Sequence, residues 1–171
     1  AGQLSSGWVH AAFVFLLVGF GSKMGLAPLH TWKPDAYGEA PGLVGALMAG
    51  GLTSLAFLAI LRAMQVMAAA DALPLARQAL LSLGLFSLLL AALFMMRQGD
   101  LKRMLAYSSV EHMGILMIGL GIGIPALFGT LLHVITNGLT KGVLFLSVAN
   151  IHRAYESKQS DKVHGAIRLL P

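Results

Sequence analysis

Lys141 is the residue that most needs a chemical reason. It lies within Thr130–Ser147, TLLHVITNGLTKGVLFLS, a stretch apolar enough to be read as part of a membrane-crossing helix. At about 100° per residue, Thr130, His133, Asn137, Thr140 and Lys141 fall within roughly 100° of one another. Leu131, Ile135, Leu139 and Leu146 point the other way. The helix thus carries a polar stripe on an otherwise lipid-compatible surface. A charged side chain at mid-bilayer costs at least about 2.5–3.5 kcal/mol, so it is retained for a functional or structural reason.

The chemistry such a stripe can perform is proton transfer, which needs titratable groups linked by hydroxyls or water. A lysine in a partly hydrated interior can release its proton when a neighbouring charge changes. His133 and Lys141 are separated by about 12 Å along a helix, beyond a direct hydrogen bond. Asn137 lies midway, with Thr140 beside it, and waters held by these groups are the expected link. The alternative for Lys141 is a structural lysine that snorkels to an interface. Against it, roughly three helical turns follow before the next formal charge, Arg153.

The elements that must position these groups read as five spans, about 8–27, 41–61, 78–96, 105–124 and 126–151, followed by a polar tail, 152–171. In the first span, Gly19, Gly21, Lys23, Gly25 and Pro28 gather helix breakers around a charge. Pro28 removes a backbone donor and clashes one turn back, so the helix is expected to break near Gly25–Pro28. Broken backbone at membrane depth survives only where protein or water lines it, which makes Lys23 a candidate for a hydrated site. The following HTWKPDAYGEAPG, with His30, Lys33, Asp35 and Glu39, reads as an interfacial loop.

The second span is uncharged, and Gly42, Gly45, Gly50 and Gly51 permit close helix packing. Ala63–Arg77 reads as a connector, the leucine-rich third span as lipid-facing, and Arg97–Met104 as a short basic turn. The fourth span holds Glu111 and His112 in YSSVEHMG. These two either pair near an interface or form a branch of a proton path.

Composition agrees with this division. Of 171 residues, 57% are hydrophobic and 11% charged, against about 25% charged in soluble domains. There is no cysteine, which rules out disulfides and thiolate metal sites. The formal charge of +5 is scattered over segment ends rather than gathered into a stripe with aromatics, so nucleic acid is not an expected partner. On alternating sides, Lys33, Arg97, Lys102, Arg103, Arg153, Lys158, Lys162 and Arg168 face Arg62 and Arg77 alone, eight against two. By the positive-inside rule the chain starts outside and ends in the cytoplasm. The absence of an initiating Met or charged leader leads us to expect an internal piece of a longer chain.

Three ordered blocks resemble a known family. GSKMGLAPLHTWKPDA (Gly21–Ala36), DLKRMLAYSS (Asp100–Ser109) and LLHVITNGLTKGVLFL (Leu131–Leu146) are similar in order and spacing to the core of the antiporter-like membrane subunits. These occur in respiratory complex I, Mrp-type sodium/proton antiporters and membrane-bound hydrogenases; YSSVEHMG most resembles hydrogenase-4 component F. The resemblance implies an all-α bundle that forms a middle-to-late part of a larger subunit. It also implies proton-relay roles for Lys23, Lys141 and His133, a bacterial or archaeal inner membrane, and neighbouring membrane subunits and lipid as partners. Electron transfer would belong to other subunits, so no cofactor, metal or intrinsic catalysis is expected of this chain. Two positions depart from the family pattern: Asn137, where complex I subunits commonly have a second histidine, and Ala49, where relatives often have His or Lys.

Three readings follow. The segment belongs to a proton-translocating subunit of a redox-driven complex, with Lys23, His133, Lys141, Asn137, Glu111 and His112 as the relay. Alternatively it is part of a sodium/proton antiporter subunit. The third is a non-conducting scaffold, separated from the others by whether a continuous polar path joins the buried groups. A single intramembrane acid, Glu111, argues against a dedicated sodium site of hard oxygen ligands.

Overall fold

The computed structural model describes residues 6–166. Arg168, counted above on the positive side, lies outside the described residues. Those residues form an all-α bundle in which five helices, Ser6–Met24, Gly42–Ala69, Leu73–Met95, Leu101–Ile122 and Ile124–Tyr155, are long and apolar enough to cross a membrane. The elements are α1 (Ser6–Met24), α2 (Trp32–Glu39), α3 (Gly42–Leu47), a π-helical turn (Met48–Leu52), α4 (Thr53–Ala69), α5 (Leu73–Met95), α6 (Leu101–Ile122) and α7 (Ile124–Tyr155), followed by a 3-10 turn at Ser160–Lys162.

The first helix breaks where expected, and its stop is a glycine cap. Gly25 adopts φ +77°. Its N–H donates to the Ser22 carbonyl at 3.0 Å, and the Leu26 N–H donates to Gly21 at 2.9 Å. This is the paired closure of a Schellman motif, which satisfies the carbonyls of the last turn. Pro28 follows and prevents the helix from resuming.

The segment after the break is not the irregular loop its polarity predicts. Residues 32–39 fold into α2, and Lys33, Pro34, Tyr37 and Gly38 are buried. The C-terminal carbonyls of α2 have no partners within the helix and are met by cations. Lys158 Nζ donates to Gly38 O at 3.0 Å and Lys102 Nζ to Ala40 O at 2.9 Å. Lysines are favoured at the negative end of a helix dipole. Two exposed ion pairs, Arg103–Asp35 at 2.9 Å and Lys158–Glu39 at 3.0 Å, add little energy but fix register.

The same end gathers the tail. Leu101 N donates to Lys158 O at 3.0 Å and Ser160 N to Gly99 O at 2.9 Å. Asp100 caps α6 by accepting from the N–H groups of Lys102 and Arg103. The first loop, the third loop and the tail therefore share one end of the bundle, as the charge count requires.

Elsewhere the connectors are shorter than hydropathy implies. The helix α4 runs on to Ala69 and α5 begins at Leu73, so most of Ala63–Arg77 is helical. The α5 face bearing Leu80, Gly84, Ser87 and Ala91 is buried, while Leu85, Phe86, Leu89 and Leu93 are exposed. Of the glycines in the second span, Gly42, Gly45 and Gly50 abut Ala149, Phe145 and Gly138 of α7, and Gly51 faces open space. Two buried clusters result. A larger one joins α1, α4, α5 and α6 through residues such as Phe13, Phe57, Leu80 and Met117. A smaller one joins Tyr37, Ala49, Leu105, Ala106, Phe145 and Val148.

Candidate functional site

The polar stripe of α7 faces inward. Thr130, Asn137 and Lys141 are buried, Lys141 to 2% exposure, whereas Ile135, Leu139 and Leu146 are exposed. His133 is half-buried and Thr140 is exposed. The short turn at Gly123 makes α6 and α7 antiparallel neighbours, so residues one turn apart on α6 meet residues of the stripe.

Two contacts join the helices. Lys141 Nζ donates to Ser108 Oγ at 2.7 Å. His112 Nδ1 and His133 Nε2 are 3.1 Å apart, one nitrogen donating and the other accepting according to tautomer. Ser108 and His112 are four residues apart and share a face of α6 with Glu111. Two polar pairs are thus separated by about 6 Å along α6. Between the corresponding positions on α7 stands Asn137, whose Oδ1 is buried without a hydrogen-bond partner among the described residues. A buried carbonyl oxygen of this kind keeps an acceptor for water or another donor.

Of the sequence-predicted residues, Lys141, His133, His112, Glu111 and Asn137 come together at the α6–α7 interface. In addition to the expected line along α7, His133 and Lys141 each pair across to α6, with His112 and Ser108. Lys23 stands apart: it is exposed and lines an open cleft of about 390 Å³ with Ser22, Trp32 and Leu52, beside the break in α1. Ala49 is buried at the π-helical turn and packs in the Tyr37 cluster.

Two buried cations escaped the sequence reading, Lys102, whose amine caps α2, and Lys33. Lys33 has 0% exposure; its Nζ donates to Met24 O at 2.6 Å and sits 5.5 Å from the centre of the Tyr37 ring. The break in α1 supplies that carbonyl, because Met24 is the last residue of the helix. His30 is also buried, while Asp35 is exposed in its pair with Arg103. Flanked by Trp32, Pro34 and Asp35, Lys33 carries no periodic signal that would set it apart from an interfacial lysine.

Burial, and secondarily the Lys141 ammonium, pushes the Lys33 ammonium down to about 7. Burial also holds His30 below its ordinary value. A lysine whose folded value lies below its ordinary 10.5 destabilises the fold fully below about pH 7, and this penalty is relieved as pH rises toward 10.5. The stability of the detergent-solubilised protein, measured relative to a Lys33→Met variant, therefore rises across this window. A pH-independent difference between the two would show that Lys33 titrates normally.

Comparison with known proteins identifies the family of the chain. The family described as NADH:quinone oxidoreductase/Mrp antiporter, transmembrane, matches residues 2–170. A hydrogenase-4 component F homolog of Methylacidiphilum infernorum (isolate V4) is 39% identical over 166 residues, covering 96% of this chain and 35% of that protein. Hydrogenase-4 component B of Escherichia coli (strain K12) is 32% identical over 182 residues, covering 99% of this chain and 27% of that protein. The chain thus spans about a third of the length of these relatives. In fold it is similar to a chain of the Mrp complex from Dietzia sp. DQ12-45-1b, with a TM-score of 0.78 and 22% identity over 84% of this chain and 27% of that one. With a family match over nearly its whole length, this multi-pass membrane chain belongs to the NADH:quinone oxidoreductase/Mrp antiporter transmembrane family.

Proposed function

We propose that this segment forms part of a proton-translocating subunit in a redox-driven membrane complex of the hydrogenase-4 or NADH:quinone oxidoreductase type. The observation that carries the reading is the pair of cross-helix contacts, Lys141–Ser108 and His112–His133, inside an apolar bundle. Lys141 and the two histidines exchange protons, Ser108 hands a hydrogen bond between helices, and Asn137 orders the space between the pairs. Glu111 supplies a compensating charge on the same face of α6, and Lys23 lines the cleft beside the broken helix. The subunit's neighbours are other membrane subunits and lipid. Its lysine- and arginine-rich end, where α2 meets the tail, faces the cytoplasm of a bacterial or archaeal cell.

The test is ion movement in vesicles containing the complex with this subunit, driven by its electron donor and followed with a pH-sensitive dye. Proton movement that persists in sodium-free medium, at the same yield per electron, is the expected result. Dependence on sodium would replace this reading with sodium/proton exchange, and electron transfer with no ion movement would leave a scaffold.

A further inference from the structure

We propose that Lys33 is a further proton-accepting station, delivered to the bundle interior by α2 and charge-coupled to Lys141. The inference rests on the proton-translocating reading and adds to it a group from a helix that does not cross the membrane.

The first support is the setting of the ammonium. Lys33 is fully buried, forms no ion pair among the described residues, and donates to one carbonyl, Met24 O. Buried lysines kept for structure ordinarily have carboxylates nearby, as the helix-capping Lys102 has Asp100 and Glu39, because an uncompensated buried charge is costly. A lysine with a carbonyl and a ring face in place of a carboxylate can exist as a neutral amine, the form able to accept a proton.

The second is that room is made for it. A Cβ on Gly25 would lie 2.5 Å from Lys33 Cδ and 3.2 Å from Nζ. The residue that ends α1 therefore also clears the path of the lysine stem, and its left-handed φ of +77° independently favours glycine.

The third is its position relative to the α7 stripe. The Tyr37 ring lies under Lys33 Nζ and meets Phe145 edge to face at 5.4 Å between centres. Phe145 is one turn beyond Lys141 on the same buried face of α7, so the aromatic pair connects Lys33 to the face that carries Lys141. The Tyr37 hydroxyl and Asn137 Oδ1 are buried without partners among the described residues, and each can take or hold a hydrogen bond in a proton path. Two ammonium groups facing one weakly screened interior disfavour each other. Proton uptake by the neutral amine of Lys141 therefore favours loss of the proton from Lys33 Nζ, and the reverse.

The competing role is a plain cap, in which Lys33 merely satisfies Met24 O. Lys33→Gln separates the two, because an amide can donate to that carbonyl but does not titrate here. In vesicles holding the assembled complex, Lys33→Gln is expected to keep electron transfer while proton movement per electron falls about tenfold or more. Lys33→Arg is expected to fail similarly. An assembled Gln or Arg variant that translocates normally overturns the inference. Lys141→Ala is measured in parallel: if it too translocates normally, the broader functional reading falls, whereas its loss beside a normal Lys33→Gln removes Lys33 alone. Should neither Lys33 variant assemble, infrared difference spectra of wild type and Lys141→Gln decide. A lysine band that titrates and shifts when Lys141 is neutralised supports coupling, and its absence overturns it.

Discussion

Lys141→Ala in the subunit carrying this segment is expected to lower proton translocation about a hundredfold or more while the complex still assembles. The amine is buried to 2% exposure, and its hydrogen bond goes to a hydroxyl, Ser108, which cannot neutralise it. Its replacement by a methyl group removes the titrating group and leaves Ser108 Oγ to relax onto a backbone carbonyl of its own helix. The arginine variant is the more informative one. Guanidinium keeps the charge but does not deprotonate in proteins, so a relay fails with arginine nearly as badly as with alanine. A structural cation would tolerate the exchange. Proton uptake coupled to electron transfer is the measurement, with assembly assayed separately. Normal pumping by Lys141→Arg, beside an alanine variant that only fails to assemble, would end the relay assignment for this residue.

Gly114→Val is expected to cost about 1–3 kcal/mol of stability, the usual range for overpacking a close-packed interior. A Cβ at Gly114 would lie 2.8 Å from the Gly84 carbonyl oxygen and 3.3 Å from Leu88 N, and a Cβ at Gly84 would lie 2.8 Å from the Gly114 oxygen. Both obstacles are backbone, so relief requires α5 and α6 to separate, with loss of packing around Ser87 and Leu80. Small residues at such crossings let membrane helices approach closely. The check is thermal unfolding in detergent, with Gly129→Val as control because nothing lies within 4 Å of its Cβ. Equal midpoints for the two variants would mean that the α5–α6 crossing is not a tight constraint.

The sequence by itself determined the features that depend on one helix at a time. Runs of about twenty apolar residues require helices in a bilayer, because an unpaired backbone is too costly there. Gly25 and Pro28 dictate the break through local backbone conformation. The 3.6-residue period places Thr130, Asn137 and Lys141 on one face and Ile135 and Leu139 on the other, whatever the neighbours are. Only the tertiary structure decided which groups meet across helices. Nothing in the spacing along α7 pairs His133 with His112, or Lys141 with Ser108, since those partners depend on the register between antiparallel helices. The burial of Lys33 was equally hidden. Beside Trp32, Pro34 and Asp35 a lysine has the local character of an interface. It becomes an interior group because α2 folds back on the broken end of α1 and is held there by Lys102, Arg103 and Lys158. Local chemistry gives a side chain its polarity and its helical face, while its surroundings come from contacts between residues far apart in the chain, on which the helical period carries no information.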